Sequence, residues 1–444
     1  MGQRIWDYLF GSVFRRGATL LTGLTLASYI LGLVRDMVFS RVLGAGRILD
    51  VYNAAFIVPD VLLNIFIAGA LGAAFVPVFS HLLARDEKAE AERLASTMLT
   101  AAPVAMAFIG VVAFFLMPRL AVWVAPGFSP DEMTLLVHMS RLMLISPVLF
   151  ALSNTLGSML VSLERFFGYG IAPVLYNVGI IVGAVAVPVY GPLSLVIGTI
   201  AGAGLHLACR AIAVWRSGFA LSGTADIRDA NFRQVVMLML PRMAGQPIEQ
   251  LTFFLFTNLA STLAVGSIAV LNFARNFHSV PVALFGISFS VAMFPILSKK
   301  AALNDREGFV TSIRQAAVPL VLVSVASAVF YIVAGRFVIG ILLGGGKFDS
   351  DAVAATASLL AFFSLSIPAE SFIHLLVRAF YALKDTWTPI FITAPGLGAI
   401  YILAMELMPR MGLSALPTTY AVVVTAEALL LAYLLRRKLA RLGT

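Results

Sequence analysis

The sequence predicts an all-α polytopic membrane protein, and its composition and apolar patterning carry that prediction. Hydrophobic residues make up 60% of the 444 residues and charged residues only 12%, and the mean hydropathy is +0.96. A water-soluble domain would carry about a quarter charged residues. Apolar stretches long enough to cross a bilayer, about 20 residues each, follow one another from residue 17 to residue 435. Because they show no period-two alternation, a membrane β-barrel is excluded.

The apolar windows between charge clusters and Gly or Pro residues give about twelve predicted transmembrane helices. The second, eighth and ninth exceed the roughly 20 residues that a bilayer requires, so we expect these helices to tilt, bend or project into water. Pro59, Pro77, Pro281 and Pro295 are the predicted bend points. The spans are predicted at 17–36, 49–81, 95–117, 132–162, 168–188, 191–214, 233–264, 267–298, 309–343, 351–382, 387–408 and 412–435.

The distribution of basic residues predicts the orientation. Residues 1–16 mix aromatic residues with arginines and are predicted to form an interfacial helix before a retained first span. The formal net charge is +9. In a membrane protein such an excess collects in cytoplasmic loops, so it does not indicate a nucleic-acid partner. With a cytoplasmic N-terminus, the even-numbered gaps between spans and both chain ends hold most of the Lys and Arg residues. Both termini are therefore predicted to be cytoplasmic.

An internal repeat divides the chain into two halves. The second copy lies about 216 to 219 residues after the first, and an even number of helices in each half makes the repeats parallel. This predicts two parallel six-helix lobes around a central cavity, an arrangement typical of alternating-access transporters. Residues 51–56, 59 and 75–80 correspond to 270–275, 281 and 294–298. The predicted boundaries are 17–215 for the N-lobe, 216–232 for a cytoplasmic linker, 233–436 for the C-lobe and 437–444 for a cytoplasmic tail.

Charged residues inside the predicted spans are candidates for function, since a charge at the bilayer centre costs roughly 2.5 kcal/mol or more. Glu370, His374 and Arg378 follow one another at i, i+4 and i+8, so they are expected to share a helix face. The stripe is either an intrahelical ladder of hydrogen bonds or a proton or ion relay, and the sequence leaves both interpretations open. Glu249 and His278 are further candidates for such a relay.

Arginines inside the spans indicate the chemistry of a ligand. Arg35 closes the first span and Arg242 opens the second half. A cavity with several arginines and few lysines suits a diphosphate, which guanidinium groups bind in bidentate fashion. Arg35 and Asp36 can also be interpreted as a structural pair at a helix end.

Motifs of enzymes and cofactor proteins are missing from the sequence. Cys209 is the single cysteine, and no zinc-type His/Cys spacing occurs. Residues 344–347 resemble a phosphate-binding loop, but Phe348 stands where that motif needs Ser or Thr. We therefore expect no cofactor, no metal cluster and no enzymatic activity.

Several blocks of sequence together form a recognisable signature. The opening block reads Ser-Tyr-Ile-Leu-Gly-Leu-Val-Arg-Asp at 28–36, followed by Leu-Gly-Ala-Gly-Arg-Ile-Leu-Asp at 43–50. Further blocks lie at 56–59, 69–77, 272–275, 294–298, 346–349 and 378–389. Together they resemble the MurJ (MviN-like) lipid II flippase family of the multidrug/oligosaccharidyl-lipid/polysaccharide exporter superfamily, and the resemblance covers nearly the whole chain.

The resemblance implies a multi-pass protein of the bacterial inner membrane that flips lipid II, the undecaprenyl-diphosphate-linked peptidoglycan precursor, to the outer leaflet. It implies that the lipid substrate and the bilayer are partners, with cell-wall synthesis proteins as further ones. The family's cavity residues fall on Arg35, Asp50 and Arg275. Where the family carries further charge, this chain has neutral residues such as Tyr29, and the family typically has fourteen spans. Residues proposed to replace the missing charge are Asn64, Arg242 and Arg378.

Two other functions remain open from sequence alone. A multidrug or small-solute antiporter of the same superfamily would favour acidic over basic cavity residues. A non-transporting scaffold for cell-wall assembly would tolerate loss of Arg35 and Arg275 while needing its cytoplasmic loops.

Overall fold

The computed structural model describes residues 12–65, 71–223, 225–245 and 247–441, and the regular elements within these ranges are all helices. The first ten helices run to residue 261. They are α1 Ser12–Leu43, α2 Arg47–Leu63, α3 Leu71–Ala84, α4 Lys88–Val124, α5 Pro130–Met143, α6 Ile145–Ser162, α7 Phe166–Tyr190, α8 Leu193–Trp215, α9 Ala230–Gly245 and α10 Pro247–Ser261.

The remaining helices include a π-helical turn, Val282–Ile287, that joins α11 to α12. A short 3-10 turn, Gly412–Ser414, joins the last two helices. These later helices are α11 Ser267–Pro281, α12 Ser288–Ala302, α13 Arg306–Leu342, α14 Ser350–Ser364, α15 Ile367–Ala382, α16 Trp387–Met411 and α17 Ala415–Arg441.

The predicted fold class is confirmed. In the described part of the chain, eight helical runs are long and apolar enough to cross a membrane, or nine when the bent pair α14 and α15 is taken as one span. The run Trp387–Arg441 holds two predicted spans, α16 and α17. The other two predicted spans coincide with α2 plus α3 and with α9 plus α10, which flank the undescribed residues 66–70 and 246. Each of the twelve predicted spans thus matches one helix or a consecutive pair.

Several predicted spans are interrupted where the sequence showed a continuous apolar run. A turn at Leu144 separates α5 from α6, and α14 and α15 meet at an angle of 43°. Pro281 ends α11 at the π-helical turn, whereas α2, α3 and α12 continue through Pro59, Pro77 and Pro295. Of the predicted N-terminal helix 1–16, residues 1–11 lie outside the described residues, and 12–16 begin α1.

The chain divides into two compact units, residues 1–43 with 47–254 and residues 44–46 with 255–444. Helix α9 packs on α3 and α4 and so belongs to the first unit, although it opens the predicted C-lobe. The segment after α8 also packs in the first unit, where Ser222 N donates to Ser96 Oγ at 3.0 Å and Asp226 N donates to Thr97 Oγ1 at 3.1 Å. The lobe boundaries read from the sequence stay a prediction.

In the first unit, α7 and α8 are held together by glycines that let their backbones touch. A Cβ placed on Gly198 would come 2.5 Å from Gly183 Cα and 2.6 Å from Gly179 O. A Cβ placed on Gly202 would come 2.5 Å from the carbonyl oxygen of Tyr176. Small residues spaced four apart on both helices are the usual solution in membranes, where close van der Waals packing replaces the hydrophobic effect.

In the second unit, the tripeptide 44–46 packs against two loops of the later chain. Gly44 has φ +70°, and a Cβ there would lie 2.6 Å from the carbonyl oxygen of Lys347. Gly266 has φ +89°, and its Cβ would collide with the carbonyl of Ala45. Both positions therefore need glycine for two reasons, the left-handed backbone and the close backbone approach.

A charged contact ties the loop before α16 to the end of α17. Asp385 accepts hydrogen bonds from Lys438 Nζ at 2.5 Å and from Thr388 N at 3.0 Å. Burial raises the pKa of Asp385, but the bonds from Lys438 and Thr388 outweigh it and lower the pKa to about 2. Loop and helix end are thus joined through an ionised carboxylate.

We expect Gly198→Ala to destabilise the protein by about 1–3 kcal/mol, since the methyl group forces the α7 and α8 backbones apart. Thermal unfolding of the purified protein in detergent measures the effect. Gly204→Ala on the same helix is the matched control, because a Cβ at Gly204 meets nothing within 4 Å. Alanine there is expected to be neutral or stabilising by up to about 1 kcal/mol. Equal effects of the two substitutions would contradict the packing argument.

The Asp385 carboxylate is expected to make stability depend on acid. Because its folded pKa is depressed, its contribution is present above the ordinary carboxyl pKa of about 4 and is lost as pH falls toward 2. Asp385→Asn should therefore lower the unfolding midpoint at pH 6 and remove part of the further fall between pH 4 and pH 2. Parallel midpoint-against-pH curves for the two proteins would show that Asp385 does not contribute.

Candidate functional site

The first unit carries a buried ion pair on α1. Arg35 donates from Nη2 and Nε to Asp36 Oδ1 at 2.9 and 3.1 Å. Its Nη1 donates to Asn177 Oδ1 of α7 at 3.3 Å. The Asp36 side chain is 8% exposed and that of Arg35 is 27% exposed. Three of the five guanidinium N–H groups are thus engaged, and the side chain still reaches the surface of the unit.

Helix α2 places a second polar group beside this pair. Tyr52 is buried, and its hydroxyl bonds Thr199 Oγ1 of α8 at 2.7 Å. The ring of Phe39 meets the Tyr52 ring edge-on at 5.5 Å and lies 5.9 Å from the Arg35 guanidinium carbon. Asp50, a sequence-predicted site residue, is buried in the first turn of α2. The ordering of Arg35 therefore depends on helices far apart in the sequence.

Asn64, another predicted site residue, lies just after α2, where the helix turns to π geometry at residues 64 and 65. Its side-chain amide donates to the carbonyl of Asp60 at 2.9 Å. In this position Asn64 stabilises a helix irregularity. Asp60 of α2 lines a small pocket together with residues of α5, α6 and α7.

The second unit brings together two of the residues predicted as a relay. His278 of α11 is buried, and its Nε2 lies 2.9 Å from Ser366 Oγ and 3.4 Å from Glu370 Oε2. The rings of Phe363 and Tyr420 flank the imidazole at 5.3 and 6.2 Å. A histidine in contact with a hydroxyl and a carboxylate can hold and pass a proton.

The other predicted residues of the second unit lie on the same two helices. Arg275 is half-buried on α11, one turn before His278. His374 and Arg378 are half-buried on α15 with Glu370, as the i, i+4, i+8 spacing predicted. The Arg378 guanidinium lies 6.0 Å from the Phe294 ring and 5.9 Å from the Tyr381 ring. Such aromatic contacts stabilise a cation away from water.

Two predicted residues cannot be placed beyond their backbone. Arg242 lies in α9 and Glu249 in α10, and their side chains lie outside the described residues. Within the described residues, no group of three or more His, Cys, Asp or Glu side chains is arranged to hold a metal ion.

Sequence reasoning missed a buried arginine. Arg210 of α8 is 4% exposed and donates to Ser153 O at 3.0 Å and to Asn154 Oδ1 at 3.1 Å, with its guanidinium 4.8 Å from the Tyr169 ring. The glycine at 157 gives the guanidinium room on α6. The signal that could have found it is a charged residue inside the predicted span 191–214.

A carboxylate was missed by the same oversight. Glu427 is half-buried on α17 and fills the space left by Gly396 on α16, where a Cβ would collide with it. It is a charge inside the predicted span 412–435. Each of the two missed side chains occupies space that a glycine on a neighbouring helix leaves open. The sequence of one helix does not reveal such a relation.

Comparison with known proteins gives a consistent result. The family profile described as "Lipid II flippase MurJ" matches residues 39–443 of the chain. A relative from Rhizobium meliloti, named probable lipid II flippase MurJ, is 26% identical over 432 residues, which are 95% of this chain and 80% of the relative. The lipid II flippase MurJ of Burkholderia cenocepacia is 26% identical over 435 residues, 95% of this chain and 84% of that protein.

Solved structures show a similar fold. A lipid II flippase MurJ in an inward closed conformation has a TM-score of 0.81 at 22% identity, covering 96% of this chain and 90% of that one. An inward-facing multidrug resistance MATE family transporter of the MOP superfamily has a TM-score of 0.78 at 14% identity, covering 96% and 99%. At these identities the structural likeness concerns the fold alone.

The Arg35–Asp36 pair predicts a double-mutant cycle with substantial coupling. Removing either partner leaves a largely buried charge uncompensated. The double variant Arg35→Gln/Asp36→Asn should therefore lose less stability than the sum of the losses of the two single variants. We expect a coupling free energy of about 1 kcal/mol or more, after allowance for the partial exposure of Arg35. The more exposed pair Glu90 and Arg93 is the control cycle, expected at about 0.2–0.5 kcal/mol. Unfolding of all variants in detergent measures both, and additivity at Arg35 and Asp36 would show that the pair is not coupled.

Proposed function

This chain belongs to the lipid II flippase MurJ family, and on that premise we propose that it moves lipid II, a lipid-linked oligosaccharide, across the membrane. The family match runs from residue 39 to residue 443 and carries the proposal. Membership in this family makes the protein a multi-pass membrane transporter and not an enzyme.

The direction of transport and the location follow from the orientation predicted by the basic residues. The protein lies in the bacterial inner membrane with both termini in the cytoplasm and moves lipid II from the inner to the outer leaflet. Its six-helix lobes alternate between openings to the two sides. Proteins of cell-wall synthesis that supply or consume the lipid are its proposed partners.

Arginines and polar groups of the two lobes hold the diphosphate of the lipid. Arg35 supports this role, because three of its N–H groups are fixed by Asp36 and Asn177 while its side chain stays 27% exposed. A guanidinium that is already oriented loses little freedom when it binds two phosphate oxygens at once. The proposed substrate-binding residues are Arg35, Asp50, Asn64, Arg242, Arg275 and Arg378.

A second set of residues serves as a proton or ion relay that couples transport to a gradient. The contact of His278 with Ser366 and Glu370 supports this role in the second unit. Because the chain offers no nucleotide-binding motif, a gradient, the membrane potential or the flux of substrate supplies the energy. The proposed relay residues are Glu249, His278, Glu370 and His374.

Genetic complementation tests the function and the arginine sites together. In a bacterium depleted of its own lipid II flippase, the wild-type chain should restore growth and cell shape. Arg35→Ala and Arg275→Ala should fail at matched expression, because each removes a phosphate ligand. Arg119→Ala is the control, since Arg119 is an exposed arginine near the end of α4, and it should rescue like the wild type.

Two results would contradict these proposals in different ways. Absence of rescue by correctly inserted wild-type protein would show that lipid II is not the substrate. Full rescue by Arg35→Ala and Arg275→Ala would leave the function intact and exclude these arginines as essential phosphate ligands.

A further inference from the structure

Helix α5 carries an arginine in the middle of an exposed apolar surface. Arg141 lies nine residues after Glu132, the last carboxylate before it, which is about 14 Å along the helix. That distance is close to half of a hydrocarbon core of roughly 30 Å. Arg141 therefore lies near the middle of the bilayer on a surface that faces acyl chains. The exposed apolar residues around it, which with Arg141 form the α5 surface, are Phe114, Phe115, Leu142 and Ile145.

One N–H group of Arg141 has a structural role. Its Nε donates to the carbonyl of Phe114 at 3.0 Å, and its guanidinium lies 4.5 Å from the Phe114 ring. That carbonyl lacks its usual helical donor, because Pro118, four residues later in α4, has no N–H. The other four N–H groups of Arg141 have no partner among the described residues. A neutral glutamine would satisfy the carbonyl as well, so this bond does not explain a cation at this depth.

Helix α17 carries the opposite charge at a similar depth. Glu427 lies nine residues before Arg436, the next charge along α17, which is again about 14 Å. Its carboxylate is half-buried over Gly396 of α16. In the part of the chain that the structure describes, it has neither a hydrogen bond nor an ion pair. The exposed apolar residues around it, which with Glu427 form the α17 surface, are Val422, Leu429 and Leu430.

Both charges need a partner at membrane depth. A charged side chain near the bilayer centre is costly, and such residues are almost always paired. Phosphate groups of lipids lie outside the hydrocarbon core, about 15 Å from its middle, so a headgroup does not fit Arg141. A polar side chain on another transmembrane helix meets the requirement, and contacts of this kind hold helices together in membranes.

We propose that the α5 surface of one copy of this chain docks on the α17 surface of a second copy, with Arg141 paired to Glu427 across the contact. Copies inserted by the same route share one orientation, so only residues at equal depth can meet. The fourth and twelfth predicted spans both cross from outside to inside, and each charge lies near the middle of the core. The chain itself thus supplies the complementary charge at the matching depth, which favours a second copy over an unrelated helix. A guanidinium can donate to both carboxylate oxygens at once.

Energy transfer between tagged copies tests this contact. The full chain is expressed with a donor or an acceptor fluorescent protein at its C-terminus, and transfer is measured in inner-membrane vesicles over a range of expression levels. We expect self-association of the wild type. Arg141→Gln and Glu427→Gln should each weaken it about tenfold. Glutamine keeps an N–H for the Phe114 carbonyl and nearly the volume that fills the space over Gly396.

Mixing the two variants gives the sharpest test. A donor-tagged Arg141→Gln copy keeps Glu427, and an acceptor-tagged Glu427→Gln copy keeps Arg141. The mixed pair therefore retains one intact contact, and transfer between the two should return although neither variant pairs with itself. A substitution that only damaged the fold would not be rescued by mixing.

Matched controls separate the paired charges from charge in general. Arg119→Gln removes an exposed arginine near the end of α4, and Glu406→Gln removes an exposed carboxylate from α16. Both variants should associate like the wild type. The double variant Arg141→Gln/Glu427→Gln gives the transfer that arises from random collisions, and thermal unfolding in detergent confirms that every variant is folded.

Two outcomes would overturn the proposal. Wild-type transfer no greater than that of the double variant would show that the two surfaces do not bind a second copy, and that a lipid or an unrelated helix covers them. Unchanged association of either folded single variant would show that the copies meet elsewhere. The contact goes beyond the proposed function and does not depend on which lipid is transported. Growth restored by the wild-type chain tests that function separately.

Discussion

The hydrocarbon interior of a bilayer offers no water to the backbone or to a charged side chain, and this constraint governs the structure. Helices satisfy the polar groups of the backbone, because each N–H and C=O is hydrogen-bonded within its own segment. Charged side chains find their partners in place of water on neighbouring helices. Arg35 is held by Asp36 and Asn177, and Arg210 is held by Ser153 and Asn154. Polar groups of this kind fix the pairing of helices where apolar surfaces alone would leave it unspecified.

Close backbone packing and polar contacts support one another in the first unit. The glycines at 179, 183, 198 and 202 bring α7 and α8 into backbone contact. Thr199 and Asn177 lie on these two helices, and they bond Tyr52 of α2 and Arg35 of α1. A larger residue at one of these glycines would therefore move the partners of the ion pair as well as the helices. The glycines act on the candidate site although none of them carries a functional group.

The sequence predicted the helices well because hydropathy depends on local composition. Every predicted span is helical in the described residues, and the spacing of Glu370, His374 and Arg378 placed them on one helix. The breaks at Leu144 and between α14 and α15 were not predicted, since both positions lie inside continuous apolar runs. The contacts that join different helices of the site were beyond prediction for a different reason. The partners of Arg35 and His278 lie 142 and 88 residues away in the chain, and no local pattern specifies which helices meet.

The π-helical turn Val282–Ile287 has a consequence for how this span tolerates changes in length. A π turn closes its hydrogen bonds one residue further along the chain than an α turn does. Loss of one residue there would restore the α pattern and leave α11 and α12 with the same faces inward. The same loss inside α13, which runs unbroken from Arg306 to Leu342, would rotate every later residue by about 100°. A single-residue deletion is therefore expected to be tolerated at the π-helical turn of the eighth span but not within the ninth span.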